Sequence, residues 1–78
     1  MDDSGWTHLE YIEWFNMYVE SEWEEFIEYG EENGFKYKEL SILRQMARFS
    51  MRRDNPSFKQ LSWAKRIVDR IEAATSDE

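Results

Sequence analysis

Residues 6–34 read WTHLEYIEWFNMYVESEWEEFIEYGEENG, and this stretch decides what kind of fold the chain can form. Apolar residues recur at helical spacing from Leu9 to Val19, which predicts an amphipathic helix. Thr7 and Glu10 have the spacing of a capping box, in which each side chain accepts a hydrogen bond from the other residue's backbone N–H. The helix is therefore expected to begin at Thr7.

The remainder of the stretch is compatible with two helices or with one long helix. The segment Ser21-Glu22-Trp23-Glu24 repeats the capping-box pattern, so we expect a break or bend near Glu20-Ser21. Without that break, one helix would run from Thr7 to about Glu32. Asn33-Gly34 predicts a helix end, because both residues tolerate the left-handed backbone conformation.

The second half of the chain predicts two further helices. Asp54-Asn55-Pro56 is typical of a turn, and proline cannot continue the preceding helix. Ser57 and Gln60 form a third capping-box pattern. The sequence thus predicts an all-α fold, a small bundle of three to four helices forming a single domain over residues 1–78. The predicted helices span about 7–20, 21–32, 38–53 and 57–74, with frayed termini at about 1–5 and 75–78.

The composition argues against several classes of site. The 78 residues include no cysteine and one histidine, so we expect no disulfide and no transition-metal centre. Glycine-rich phosphate loops, calcium loops and nucleophile motifs are missing from the sequence, which predicts no enzyme activity, no catalytic residue and no cofactor. No apolar run approaches the roughly 18 residues of a membrane span, and the first residues lack the basic and apolar regions of a signal peptide. We therefore expect a cytoplasmic protein with no membrane partner.

Charge divides the chain into two halves. The net charge is −7, but residues 1–34 carry eleven acids and no Lys or Arg, whereas residues 35–78 carry ten bases and six acids. Such asymmetry is typical of interaction surfaces, and a rigid array of carboxylates could imitate nucleic-acid phosphates in a basic groove of another protein. The alternative is that the two halves neutralise each other, because opposite charges on neighbouring helices remove self-repulsion.

Aromatic residues concentrate in the acidic half, where eight of the thirteen lie between Trp6 and Tyr29. One face of the first helix can pack on the other helices. A second strip, formed by Tyr11, Trp14 and Tyr18, would then stay uncovered unless another chain covers it. The alternative is that the small bundle buries these rings itself. If the strip is uncovered, its rings would anchor a partner and nearby glutamates would steer the encounter. The predicted partner-binding residues are Tyr11, Trp14, Tyr18, Trp23, Glu13, Glu20, Glu24 and Glu28.

Basic residues recur at helical spacing in the second half, with one tryptophan among them. Alternating cations and rings are typical of single-stranded nucleic-acid binding, because cations meet phosphates and a ring stacks on a base. The alternative is that the tryptophan packs at the edge of the core and the cations pair with the acidic helices. An isoelectric point near 4.7 also opposes binding to a polyanion. The candidate nucleic-acid residues are Arg44, Arg48, Arg52, Lys59, Trp63, Arg66 and Arg70.

The segment PSFKQLSWAKRI at residues 56–67, extended to residue 70, resembles the helix start found near the C-terminus of small bacteriophage accessory proteins. The resemblance implies a viral or mobile-element setting, in which small acidic proteins bind and redirect host machinery in the host cytoplasm. We therefore expect a non-enzymatic acidic helical protein that binds and regulates or inhibits a larger protein. A second copy of the chain is also a candidate partner, and single-stranded nucleic-acid binding is the alternative function.

Overall fold

Four α-helices occupy residues 5–75, the part of the chain that the computed structural model describes. They are α1 (His8–Phe15), α2 (Glu20–Glu32), α3 (Tyr37–Arg52) and α4 (Phe58–Thr75). Helix α2 packs mainly on α3, α3 and α4 form a helical hairpin, and α1 packs on α4. The predicted all-α bundle is confirmed. Within the described residues, no helix is both long enough and apolar enough to cross a membrane.

Two of the predicted capping boxes are confirmed at the starts of α1 and α4. In the first, Glu10 N donates to Thr7 Oγ1 at 3.2 Å and Thr7 N donates to Glu10 Oε1 at 2.8 Å. In the second, Gln60 N donates to Ser57 Oγ at 3.2 Å and Ser57 N donates to Gln60 Oε1 at 3.0 Å. Each pair satisfies two N–H groups that the helix itself leaves without a partner.

The predicted stop of the second helix is also confirmed. Gly34 has a φ of 75°, and Phe35 N donates to Gly30 O at 2.9 Å, which is the Schellman arrangement. Because Gly30 has no side chain, α3 can approach α2 closely at this position. A Cβ atom built on Gly30 would lie 2.8 Å from Leu40 Cδ2 and 2.9 Å from the Phe35 ring.

The break between the first two helices lies earlier than predicted. Helix α1 ends at Phe15 rather than near residue 20, and α2 begins at Glu20 after an irregular segment, so the single long helix is wrong. The Ser21–Glu24 capping box does not form. Val19 is the N-cap instead, and its backbone N donates to Glu22 Oε1 at 2.9 Å. The Glu22 carboxylate, which accepts from the backbone N–H of the N-cap residue, is therefore sufficient to begin this helix, although Val19 has no hydroxyl.

The other ends shift by one residue. Helix α3 spans Tyr37–Arg52 rather than 38–53, and Arg53 takes the left-handed conformation with φ 60°. Asp54 N donates to Phe49 O at 3.0 Å, so this end has the same Schellman arrangement, with arginine at the position that glycine prefers. Helix α4 includes Thr75, where fraying was predicted. The fraying expected at 1–4 and 76–78 lies outside the described residues.

All four helices contribute to one core. Its fully enclosed side chains include Trp23 from α2, Leu43 and Met46 from α3, and Leu61 from α4, while α1 contributes Phe15. No charged or polar side chain of the described residues is buried. His8 Nε2 donates to the carbonyl of Pro56 at 3.1 Å, so the start of α1 is tied to the turn between α3 and α4.

Candidate binding surfaces

The aromatic strip of α1 is buried within the single chain, and the expectation that it stays uncovered is wrong. Tyr11 is 2% exposed and Trp14 is 9% exposed, while Tyr18 is half-buried. Trp23, the fourth predicted anchor, is 0% exposed. The physical reason is that two elements cover the strip: Phe58 of α4 packs on Tyr11, and the Trp23 ring of α2 packs on Trp14 and Tyr18.

Edge-to-face ring contacts hold this cluster together. The Trp23 ring centroid lies 6.0 Å from that of Trp14, 5.4 Å from that of Tyr18 and 5.4 Å from that of Phe26. Tyr11 makes a similar contact with Phe58 of α4 at 5.3 Å. Such pairs favour offset or perpendicular rings and stabilise a core beyond the area they bury. The cluster is thus a structural element of the fold.

Tyr18 links this cluster to the end of α4. Its hydroxyl donates to Glu72 Oε2 at 3.0 Å. Burial, and then the hydrogen bond and negative charge of Glu72, raise the pKa of Tyr18 to about 12. The indole N–H of Trp23 is buried and has no hydrogen-bond partner among the described residues. Trp23 is therefore enclosed in the core, whereas Tyr18 stays partly in contact with solvent.

The predicted acidic residues remain on the surface. Glu13, Glu24 and Glu28 are exposed, and Glu20 is half-buried. Among the ion pairs of residues 5–75, one joins the acidic half to the basic half: Arg44 Nη2 lies 2.9 Å from Glu31 Oε2. The expected mutual neutralisation is therefore slight, and most of the α2 carboxylates face solvent.

A groove lies on the α3–α4 hairpin. Its volume is about 720 Å³. Tyr37 is 78% exposed and Trp63 is 42% exposed, so two aromatic rings line it in contact with solvent. Gln60 Nε2 donates to Gln45 Oε1 at 3.0 Å between the two helices. The lining residues are Tyr37, Lys38, Ser41, Ile42, Gln45, Ser57, Lys59, Gln60 and Trp63.

A second hollow continues the groove, since Gln45 and Gln60 line both. Its other lining residues are Arg48, Phe49 and Arg52. The Arg52 guanidinium lies 5.8 Å from the centroid of the Phe49 ring. Arg52 Nε also lies 3.6 Å from Asp54 Oδ2. Groove and hollow together are lined by four cationic side chains and by no acidic one.

The structure divides the predicted basic stripe. Lys59 and Trp63 line the groove, and Arg48 and Arg52 line the adjoining hollow. Three members lie outside both. Arg44 pairs with Glu31, Arg70 Nη1 hydrogen-bonds Glu39 Oε2 and lies over the Phe35 ring, and Arg66 is exposed. Arg70 and the backbone of Lys36 hold the pKa of Glu39 below its usual value by hydrogen bonding.

Sequence reasoning missed the α3 side of the groove. Neither Tyr37 nor Lys38 is among the predicted site residues, but both line the groove from the start of α3. The signal was present in the spacing, because Tyr37, Ser41 and Gln45 recur every four residues and so share one face of α3.

The described residues bring together no group of three or more His, Asp and Glu side chains that could hold a metal ion. The surface chemistry of this part of the chain is that of two kinds of patch, a cationic aromatic groove on α3 and α4 and an acidic face on α1 and α2. Comparison of the chain with protein-family models, with curated proteins and with solved structures finds no match.

Proposed function

We propose that this protein is a non-enzymatic binding protein that holds single-stranded nucleic acid in the α3–α4 groove. One observation carries the proposal: in a chain with a net charge of −7, groove and hollow are lined by four cations, two exposed rings and no acid. Rings stack on bases of any sequence, and the cations meet the phosphates that join those bases. An anionic ligand with flat aromatic groups fits this combination.

The acidic half weakens this binding without preventing it. The protein measures 31 × 31 × 22 Å along its principal axes, whereas the screening length is about 8 Å at physiological salt. Charges on distant helices are therefore largely screened from a strand in the groove. Two carboxylates near the groove are already paired with basic side chains of the protein. Glu39 accepts a hydrogen bond from Arg70, and Asp54 lies beside Arg52. The acidic face then restricts where on the protein a polyanion can settle.

The anisotropy of a fluorescein-labelled oligothymidylate tests this function. If four cations contact phosphates, the logarithm of the binding constant should fall with the logarithm of salt concentration with a slope of about −3. Trp63→Ala should weaken binding by about 1–3 kcal/mol because a stacked base is lost. Lys59→Gln should flatten the salt slope by about 0.7.

Arg44→Gln is the matched control for Lys59→Gln, because it removes the same charge from α3 outside the groove. Its effect should be markedly smaller. Equal weakening by the two variants would mean that only general electrostatics act. If the anisotropy stays unchanged at low salt, the proposed nucleic-acid binding is refuted.

A second function is regulation or inhibition of a larger protein through the acidic face, as a phage protein in its host's cytoplasm. The observation in favour is that α2 carries seven glutamates, of which Glu31 alone forms an ion pair within the described residues. Such a field steers a basic partner. The double variant Glu24→Gln and Glu28→Gln should lose a protein captured from host lysate, whereas Asp54→Asn, at the α3–α4 turn, should retain it.

A further inference from the structure

A hollow beside α1 has the chemistry of a receptor for a cationic side chain. Its volume is about 500 Å³, and it is lined by two indole rings, two carboxylates and a thioether. Met17 is 74% exposed at its edge. Rings with carboxylates at their border attract cations, through the negative face of the ring and through direct charge. The lining residues are Trp6, Glu10, Glu13, Trp14 and Met17.

The same two rings already attract an ammonium group of the protein. Lys65 Nζ lies 4.9 Å from the centroid of the Trp6 ring and 5.8 Å from that of Trp14, while Asp69 accepts two hydrogen bonds from it. Lys65 does not line the hollow, so the space beside the rings stays open. The rings therefore already contact one cation, and the hollow beside them leaves room for a second.

The carboxylates favour the same occupant. Glu13 is exposed and forms no ion pair within residues 5–75, and Glu10 uses Oε1 to accept from Thr7 N. Residues 5–34 carry nine glutamates and no Lys or Arg, so the region around the hollow attracts cations from a distance. Guanidinium suits this setting better than ammonium, because it is planar, stacks on indole and is weakly hydrated.

We propose that the α1 hollow binds an arginine side chain presented by an exposed basic segment of a partner protein. The guanidinium lies against the Trp6 ring and donates to Glu13, and Met17 covers its aliphatic stem. The inference rests on the second proposed function, since it names the chemistry of the partner. It restores part of the predicted binding set, because Trp14 and Glu13 take part while Tyr11 and Trp23 stay in the core.

A titration followed by the tryptophan indole N–H signals tests the hollow. The probe is a short glycine peptide with one central arginine, capped at both ends, and the control peptide carries citrulline, which has nearly the same shape without the charge. The arginine peptide should shift the Trp6 and Trp14 signals in the millimolar range and leave Trp23 and Trp63 unchanged. The citrulline peptide should bind severalfold more weakly, and the lysine peptide should lie between them.

Paired variants distinguish the hollow from the general acidic field. Glu13→Gln should weaken arginine-peptide binding about two- to fivefold, as the loss of an exposed ion pair does. Glu24→Gln removes the same charge from α2 outside the hollow and should leave binding nearly unchanged. Both variants keep the core intact.

Three results would overturn the proposal that the hollow binds arginine. They are unshifted Trp6 and Trp14 signals, equal shifts with arginine and citrulline, and equal weakening by the two variants. The last result would leave regulation through the acidic face standing. Conversely, peptide binding at Trp6 together with failure to retain any host protein would refute the regulatory function and keep the hollow.

Discussion

Replacing Trp23 by alanine should remove most of the stability of this protein. Trp23 is 0% exposed, and its ring contacts those of Trp14, Phe15 and Tyr18. Its side chain therefore connects α2 with α1 and with the segment that follows α1. If the aromatic cluster is the core, the loss must be large. If the cluster were an interface of a loosely held helix, the loss would be small.

The magnitude follows from burial. Truncating a buried tryptophan to alanine costs about 3–5 kcal/mol, since transfer energy is lost and a cavity is left. A domain of 78 residues has a free energy of unfolding of about 4–12 kcal/mol. With a urea dependence of about 1 kcal/mol per molar, the unfolding midpoint should fall by about 3 M or more. If the free energy of unfolding of the parent lies near 4 kcal/mol, the Trp23→Ala variant is unfolded even without urea.

Urea unfolding followed by circular dichroism measures this loss. Trp63→Ala is the control, because the ring it removes is 42% exposed and its loss should cost about 1 kcal/mol or less. Trp23→Phe keeps the test informative if the alanine variant does not fold. It retains a ring and deletes an indole N–H that has no partner, so it should lie between the other two. A Trp23→Ala variant no less stable than Trp63→Ala would refute the assignment of this cluster to the core.

Three further outcomes are expected. Arg53→Gly should stabilise the protein by about 1 kcal/mol and raise its melting temperature by about 4–8 °C, because the left-handed backbone there favours glycine; a lower melting temperature would contradict this. The raised pKa of Tyr18 means that its contribution to stability is intact below pH 10 and is lost as pH rises through about 12. Alkaline unfolding of Tyr18→Phe should lack that component, and tyrosinate absorbance of the parent should contain a late-titrating component that Tyr18→Phe lacks. The lowered pKa of Glu39 means that its contribution is present above pH 4.5 and is lost as pH falls below it, so Glu39→Gln should be less stable at neutral pH and should lose less stability on acidification than the parent.

Local signals in the sequence predict where three of the helices stop or start. Thr7 and Ser57 cap helices because their hydroxyls accept from backbone N–H groups three residues on, and Gly34 ends one because its φ is positive. These devices act within a few residues, so pattern alone reveals them. Arg53 shows the limit, since arginine in the left-handed region is dictated by the hairpin that follows and by no local preference.

The surroundings of Tyr18 could not be predicted because they depend on where α1 ends. Continued as a helix, the chain would have carried Tyr18 about 4.5 Å further along the axis from Phe15. The break instead brings the Tyr18 ring to 5.4 Å from Trp23 and lets its hydroxyl meet Glu72 of α4. Tyr11 and Trp14 lie within α1 under either boundary, and Tyr11 packs on Phe58 of α4, so the error in this boundary concerned Tyr18.

The same break explains why the charges stay apart. Once the chain has turned back, α2 packs on α3 through Phe26, Ile27 and Gly30, and its glutamates point away from that contact, so Glu31 alone reaches an arginine of α3 among the described residues. The groove cations sit on the α3–α4 hairpin and stay free of the glutamates. A chain that neutralised itself would offer neither surface. This one presents a cationic groove and an acidic face on different helices, and each can be altered without touching the other.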